Sequence, residues 1–225
     1  EGLGLEMEVV KDEAAHRVYE ARVSSDLAHL FARQGHRTVL IEPALVHPYP
    51  QAARLGFTAT FLAADLGYRG PAMGWVTMPD QFTLAAFERL ARPAAHAERV
   101  PVFAQVVLVG SHAPFTPRAS LVAWDEVGDG RVFGALPVTG GSALEVWADA
   151  GERRGAYAAA LDLSLASLQG FAARVGDRST LLILVGDHEP AAFVTGRPGS
   201  RTVPIHAISG DPALLEPFRA WGFGP

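Results

Sequence analysis

The sequence predicts an α/β fold, a three-layer sandwich with a mostly parallel central sheet. Apolar runs without polar alternation are typical of strands that helices cover on both faces. Helical patterns separate these runs, as expected of repeated βαβ units. The predicted strands lie at 37–42, 102–109, 181–185 and 203–208. We expect all four to take part in one sheet, the last at its edge because it contains Pro204.

Composition excludes several classes of protein. The 225 residues are 49% hydrophobic and 19% charged, which argues against disorder. A net charge of -5 offers neither the basic footprint of nucleic-acid binding nor a polybasic membrane patch. The absence of cysteine removes disulfides, thiolate zinc sites and cysteine nucleophiles. No apolar run approaches the roughly 18 to 20 residues of a membrane span, so we expect the segment itself to be soluble.

The chain begins at Glu1, with neither methionine nor a targeting segment. We therefore expect residues 1–225 to be a single domain that is part of a longer protein. Ser24 and Ser25 precede an apolar pattern that Gly35 closes, which predicts a helix of about ten residues. A capping role suits these serines better than a nucleophilic one, because no base is spaced to activate either hydroxyl.

Two candidate binding residues lie in predicted loops. His47 follows the strand at 37–42, and on the residues alone a surface histidine is the simpler interpretation. Arg69 lies in a loop at 56–84 that is rich in glycine, proline and aromatic residues. A guanidinium fork there matches the oxygens of a phosphate or sulfate, although such residues also occur in packed surface loops. Asp80, at the end of this loop, is predicted to cap a following helix.

Two of the predicted strands end in the same way. One is followed by Gly110-Ser111-His112 and the other by Gly186-Asp187-His188. If both strands run parallel in one sheet, His112, Asp187 and His188 meet at its carboxyl edge, where ligands of such sheets gather. Carboxylate and imidazole together suit a divalent cation. The sequence therefore predicts a shared site for one ion or anion.

Helical periodicity is clear in two places. Between Arg153 and Gly176, large apolar residues recur at steps of three and four, which predicts a long amphipathic helix. The recurring positions are Tyr157, Leu161, Leu165, Leu168, Phe171 and Val175. Asp211-Pro212 then predicts the start of a last helix, with proline at its first position.

These motifs resemble the later part of the alkaline phosphatase and sulfatase superfamily. Gly186-Asp187-His188 is the most specific match, followed by the segment from Ser111 to Phe115 and the turn at 35–38. The branch that they resemble most includes lipoteichoic acid synthases and other membrane-anchored bacterial sulfatase-like proteins. An alkaline phosphatase-like fold is then expected, at the extracytoplasmic face of a bacterial membrane and anchored through a segment absent from this chain.

The resemblance also implies roles for individual residues. Asp187 and His188 would bind a divalent metal ion, which could be manganese, zinc or magnesium. His112 would be catalytic and would contact the phosphate or sulfate of an ester substrate, with His47 and Arg69 as further substrate contacts. The family's serine, threonine or modified cysteine nucleophile lies upstream of the part that the chain resembles, and residues 1–24 do not show its pattern.

Two functions follow as hypotheses from this resemblance. The first is the metal-dependent hydrolysis or transfer of a phosphate or sulfate ester, with the nucleophile region outside this segment. The alternative is a non-catalytic sulfatase-like module that binds an anionic glycan or lipid head group. The alternative predicts ligand binding without turnover.

Overall fold

A computed structural model describes residues 27–73, 77–92, 100–176, 179–196, 199 and 202–224. The chain forms two compact units. The first contains the chain up to Leu66 together with Ala86–Val107, and the second contains Gly67–Ala85 together with Leu108–Pro225. The prediction of a single domain stays a prediction.

A parallel three-stranded sheet forms the centre of the first unit. Its strands are β1 (Arg37–Glu42), β2 (Ala59–Leu62) and β3 (Val102–Val106), in the order β2-β1-β3. Both neighbours run parallel to β1, with Val39 opposite Ala59 on one side and Ala104 on the other. The four inner residues of β1 are buried, as its apolar sequence predicts for a strand inside a parallel sheet. The predicted α/β class with a parallel sheet is confirmed.

Helices α1 (Leu27–Arg33) and α2 (Gln51–Arg54) complete the apolar core of this unit. Gly35 ends the first helical segment with a φ of +81°, a conformation that favours glycine. The serines predicted to cap this helix lie outside the described residues. The core contains residues from both helices, from β1 and from the following loop: Ala28, Leu40, Ala52 and Phe57. Strand β2 lies in a stretch predicted to be loop, so that prediction is wrong for residues 59–62.

The second unit has a mainly helical framework. Helix α3 (Asp80–Leu90) begins in this unit, and a short 3₁₀ turn follows later at Arg131–Gly134. The remaining helices are α4 (Ala143–Ala148), α5 (Ala150–Val175), α6 (Ala192–Thr195) and α7 (Pro212–Ala220). The predictions of a long helix before Gly176 and of a last helix opened by Asp211 and Pro212 are confirmed. Asp211 caps α7 by accepting a hydrogen bond from the Ala213 N–H at 3.0 Å.

The buried face of α5 differs from the one predicted. Small residues face the interior along most of its length, namely Ala156, Ala160, Ser164 and Ser167, before Phe171 and Val175. Leu165 is 49% exposed instead. A stripe of small residues lets neighbouring segments approach the helix axis closely, which the large leucine side chains would prevent. Within the described ranges, no helix combines the length and the apolar character needed to span a membrane.

The prediction that all four strands share one sheet is wrong. Strands β4 (Leu181–Val185) and β5 (Ile205–Ser209) form a separate two-stranded antiparallel sheet. Alternate residues of β4 are exposed, with Leu181 at 36%, Ile183 at 49% and Val185 at 62%. An apolar run favours a strand but does not specify its partner, and β4 pairs with the next strand along the chain. The strand predicted at 102–109 begins as expected and ends earlier, at 106, and the strand predicted at 203–208 lies at 205–209.

Candidate functional site

Asp187 and His188 follow β4 directly and contact each other. The backbone N–H of His188 donates to Asp187 Oδ1 at 2.9 Å, and His188 Nε2 lies 3.5 Å from Asp187 Oδ2. The other ring nitrogen, Nδ1, lies 2.8 Å from the carbonyl oxygen of Glu189. Because a carbonyl can only accept, Nδ1 carries the proton, and in the neutral ring Nε2 presents its lone pair. Both side chains are well exposed, at 87% for Asp187 and 71% for His188.

This pair fits a divalent cation. A carboxylate oxygen and an imidazole lone pair are both electron donors, so a shared cation stabilises their close approach. That cation can be a metal ion or a proton on Nε2. Two ligand atoms held at about 2.1 Å by one Zn²⁺ in tetrahedral geometry lie about 3.4 Å apart, close to the observed separation of 3.5 Å. Manganese and magnesium accept the same oxygen donor.

By itself the pair does not make a complete metal site. Within the parts of the chain that the structure describes, no group of three or more histidine and acidic residues is arranged to hold a metal ion. An ion bound by Asp187 and His188 alone would take its remaining ligands from water. We therefore expect weak binding of metal by this chain.

His112 lies in a tight turn after β3. Its backbone N–H donates to the Val109 carbonyl at 3.0 Å, and its own carbonyl accepts from the Phe115 N–H at 3.2 Å. The ring Nδ1 lies 2.7 Å from the Ala113 carbonyl oxygen. The carbonyl again assigns the proton to Nδ1, so the neutral ring carries its lone pair on Nε2. The turn therefore selects one tautomer of His112.

Asp80 lies beneath this turn and is 5% exposed. Its Oδ1 accepts from the backbone N–H groups of Val109 at 3.1 Å and Gly110 at 2.9 Å, and its Oδ2 accepts from Ser164 Oγ at 2.6 Å. Burial raises the pKa of the Asp80 carboxyl, and the three hydrogen bonds oppose that shift. The predicted role of Asp80 as a helix cap is wrong, because its oxygens bond the distant turn and not the first turn of α3.

A small cavity of about 50 Å³ lies beside Asp80, His112 and Ser164. Apolar residues, including Met78 and Leu163, form other parts of its wall. Its volume accommodates a few water molecules or one small oxyanion. His112 and the buried carboxyl group of Asp80 therefore line the same cavity. From the sequence, Asp80 was predicted only to cap a helix.

An aromatic cluster surrounds Phe115, three residues after His112. Phe115 packs edge-on against Tyr157 of α5, with ring centroids 5.3 Å apart. Burial and, to a smaller extent, the negative charge of Asp187 raise the pKa of Tyr157. Trp147 Nε1 donates to the Pro114 carbonyl at 3.3 Å, which ties the same segment to α4. Tyr157 therefore contacts Phe115, three residues after His112. The sequence had predicted Tyr157 only as an apolar residue of the long helix.

Strand β4 is not in the sheet of β3, so the prediction that His112, Asp187 and His188 meet at the edge of one parallel sheet is wrong. All three residues belong to the second unit. Among the described residues, these three side chains do not form a group that could hold one metal ion, so that part of the prediction is wrong. A shared anion stays a prediction. Sequence reasoning could not identify Tyr157, because its contacts depend on the direction in which α5 packs.

The two remaining candidates lie in loops, as predicted. His47 is an exposed loop residue after β1 in the first unit. Arg69 is exposed in the second unit, and its backbone N–H donates to the Asp129 carbonyl at 2.8 Å. The neighbouring Tyr68 packs edge-on against Phe82, with centroids 4.8 Å apart, and burial raises the pKa of its phenol to about 12. The loop is thus packed through Tyr68 while the Arg69 side chain faces solvent.

Comparison with known proteins gives a resemblance of fold. No protein-family model matches the chain, and no curated protein matches it either. The crystal structure of the lipoteichoic acid synthase LtaP from Listeria monocytogenes is similar, with a TM-score of 0.52 and 14% sequence identity. The similarity covers 78% of this chain and 39% of LtaP. The chain thus spans about two fifths of the length of the protein that it resembles.

Proposed function

We propose that this chain is part of a metal-dependent enzyme that hydrolyses or transfers a phosphate or sulfate ester. The arrangement of Asp187 and His188 carries the proposal: a carboxylate oxygen and an imidazole nitrogen lie 3.5 Å apart at the end of a strand. The fold resemblance to a lipoteichoic acid synthase supports this reaction class. A phosphate or sulfate ester on a glycan or lipid head group is the substrate that we propose, at the extracytoplasmic face of a bacterial membrane.

The roles of the residues follow from their chemistry. Asp187 and His188 would hold a divalent ion, which neutralises the non-bridging oxygens of the ester and lowers the pKa of a bound hydroxyl. His112, with its proton on Nδ1, would present Nε2 to the substrate and in its protonated form would donate to an ester oxygen. The guanidinium of Arg69 would add a further anion contact. A substrate contact by His47, which belongs to the first unit, stays a prediction.

Titration with Zn²⁺ or Mn²⁺ tests the metal site. Histidine resonances report Zn²⁺ binding, and calorimetry reports both ions. We expect wild-type His188 to respond to Zn²⁺ and the Asp187→Asn and His188→Gln variants to lose binding. His206→Gln is the matched control, because His206 is an exposed histidine of β5, the strand that pairs with β4 in a two-stranded ribbon. Equal binding by wild type and both site variants would refute the assignment.

A second measurement distinguishes the enzyme hypothesis from the hypothesis of a non-catalytic binding module. Inorganic phosphate is titrated with and without the metal ion. Metal-dependent phosphate binding supports the enzyme hypothesis, because the ion then lies against the anion. If the affinity for phosphate is the same with and without the metal, and in wild type and Asp187→Asn, the result would favour a non-catalytic module that binds an anionic glycan or lipid head group.

A further inference from the structure

Asp80 is a buried acid whose three hydrogen-bond donors belong to two different elements. Two are the backbone N–H groups of Val109 and Gly110, and the third is the hydroxyl of Ser164 on α5. All three donors are neutral. A buried carboxyl needs hydrogen bonds that replace those it loses with water. At Asp80 two of these bonds come from backbone N–H groups, so they also hold the backbone of the turn in place.

The hydrogen bonds of the turn link Asp80 to the backbone of His112. The Val109 N–H donates to Asp80 Oδ1 at 3.1 Å, and the Val109 carbonyl accepts from the N–H of His112 at 3.0 Å. One residue therefore joins the buried carboxyl to the backbone of the histidine. The imidazole is then oriented by the contact of its Nδ1 with the Ala113 carbonyl.

Gly110 shows how closely these groups are packed. A Cβ atom on Gly110 would lie 2.8 Å from Asp80 Cγ and 2.9 Å from Ser164 Oγ, distances that real Cβ atoms essentially never show. The carboxyl, the hydroxyl and the turn thus form a junction that has room only for glycine. His112 and the small cavity lie at the same junction.

We propose that Asp80, oriented by Ser164, is a positioning residue that holds the 109–112 turn so that Nε2 of His112, in the protonated ring, donates to the phosphate or sulfate of the substrate. The inference rests on the proposed function, because only a role of His112 in binding the substrate makes its orientation important. Asp80 itself does not contact the substrate in this scheme. Its carboxyl acts through two backbone amides.

The test measures the tautomer of His112 in the 225-residue chain by long-range ¹H–¹⁵N correlation spectroscopy. In wild type we expect His112 to be protonated mainly on Nδ1. Asp80→Ala should reduce that fraction, because the Val109 and Gly110 amides lose their acceptor. Asp80→Asn should restore it, since the amide oxygen still accepts from both N–H groups while the NH₂ donates to Ser164. The signals of His206, an exposed residue of β5, serve as an internal reference that should not move.

Ser164→Ala and Ser167→Ala provide a matched pair if Asp80→Ala does not fold. Both serines are buried on α5 and line the same cavity, but the Ser167 hydroxyl donates to the Leu163 carbonyl of its own helix. Only Ser164→Ala should alter the His112 signals. Equal responses to the two changes, or an unchanged tautomer in a folded Asp80→Ala variant, would overturn the proposal.

Titration with inorganic phosphate keeps this inference distinct from the proposed function. We expect Asp80→Ala to weaken phosphate binding by roughly 10- to 100-fold, the range expected for the loss of one hydrogen bond to a charged group. If wild type fails to bind phosphate but the variants change the tautomer of His112 as predicted, the proposed function is contradicted and the positioning role stands. Equal phosphate binding by wild type and Asp80→Ala would contradict the positioning role alone.

Discussion

A pair of valine-to-threonine substitutions tests whether β1 is an inner strand and β4 an exposed one. Val39 is 0% exposed between two neighbouring strands, whereas Val185 is 62% exposed in the two-stranded ribbon. Threonine preserves the shape of valine and exchanges one methyl group for a hydroxyl. At Val39 this change removes about 0.8 kcal/mol of methyl burial and adds roughly 1 to 3 kcal/mol for a buried hydroxyl. At Val185 the hydroxyl is hydrated, so we expect a change below about 0.5 kcal/mol.

Urea denaturation followed by far-ultraviolet circular dichroism measures both free energies of unfolding. With a slope of about 1 to 3 kcal/mol per molar urea, Val39→Thr should lower its midpoint by roughly 1 M, and Val185→Thr should leave its midpoint nearly unchanged. Each variant is compared with wild type in the transition that it affects, in case the two units unfold separately. A loss at Val185 as large as that at Val39 would show that β4 is covered in solution, and would refute the separate ribbon.

Two further predictions concern the junction at Asp80. Gly110→Ala should lower the free energy of unfolding by about 1 to 3 kcal/mol because its Cβ overlaps Asp80 and Ser164, whereas Gly155→Ala, with no heavy atom within 4 Å of the added Cβ, should stabilise α5. A harmless Gly110→Ala in the same urea experiment would contradict the packing described. Because the pKa of Asp80 is raised in the folded state, its contribution to stability is fully present below the unfolded pKa and is lost as pH rises through the folded pKa. Urea midpoints over a pH series should therefore show a decline that Asp80→Asn removes, and an identical pH profile in that variant would disprove this assignment.

The strands illustrate what the sequence could and could not predict. Both β1 and β4 have the predicted bounds, because apolar runs ended by glycine or proline define a strand locally. The pairing of β4 with β5 depends on partners that such a run does not specify. Strand β2, with only four half-buried residues, produces too short a pattern to separate it from a loop.

Asp80 shows the same limit at the candidate site. An acid before an apolar helical pattern predicts a helix cap, which is a local interaction. Its actual partners are 29, 30 and 84 positions away along the chain. The contact between Asp187 and His188 was predictable because the two residues are adjacent, and their role as metal ligands stays a prediction. The aromatic neighbours of the site were not predictable, since they depend on how α5 packs.

The last prediction concerns catalysis by the chain itself. We expect the 225-residue chain to turn over neither p-nitrophenyl phosphate nor p-nitrophenyl sulfate, with manganese, zinc or magnesium present. Asp187 and His188 are largely exposed, and within the described residues no third histidine or acidic residue joins them as a ligand. An ion held in this way exchanges its water readily, and its field is not preorganised. Attack by bulk water would also lose the advantage of a positioned nucleophile, which can amount to roughly 7 to 11 kcal/mol. Release of p-nitrophenol measured at 405 nm checks the expectation, with Asp187→Ala as the control. Metal-dependent turnover that this change abolishes would contradict the prediction and reveal a nucleophile within the chain, and Ser24, Ser25 and Ser111 would be the first hydroxyls to replace.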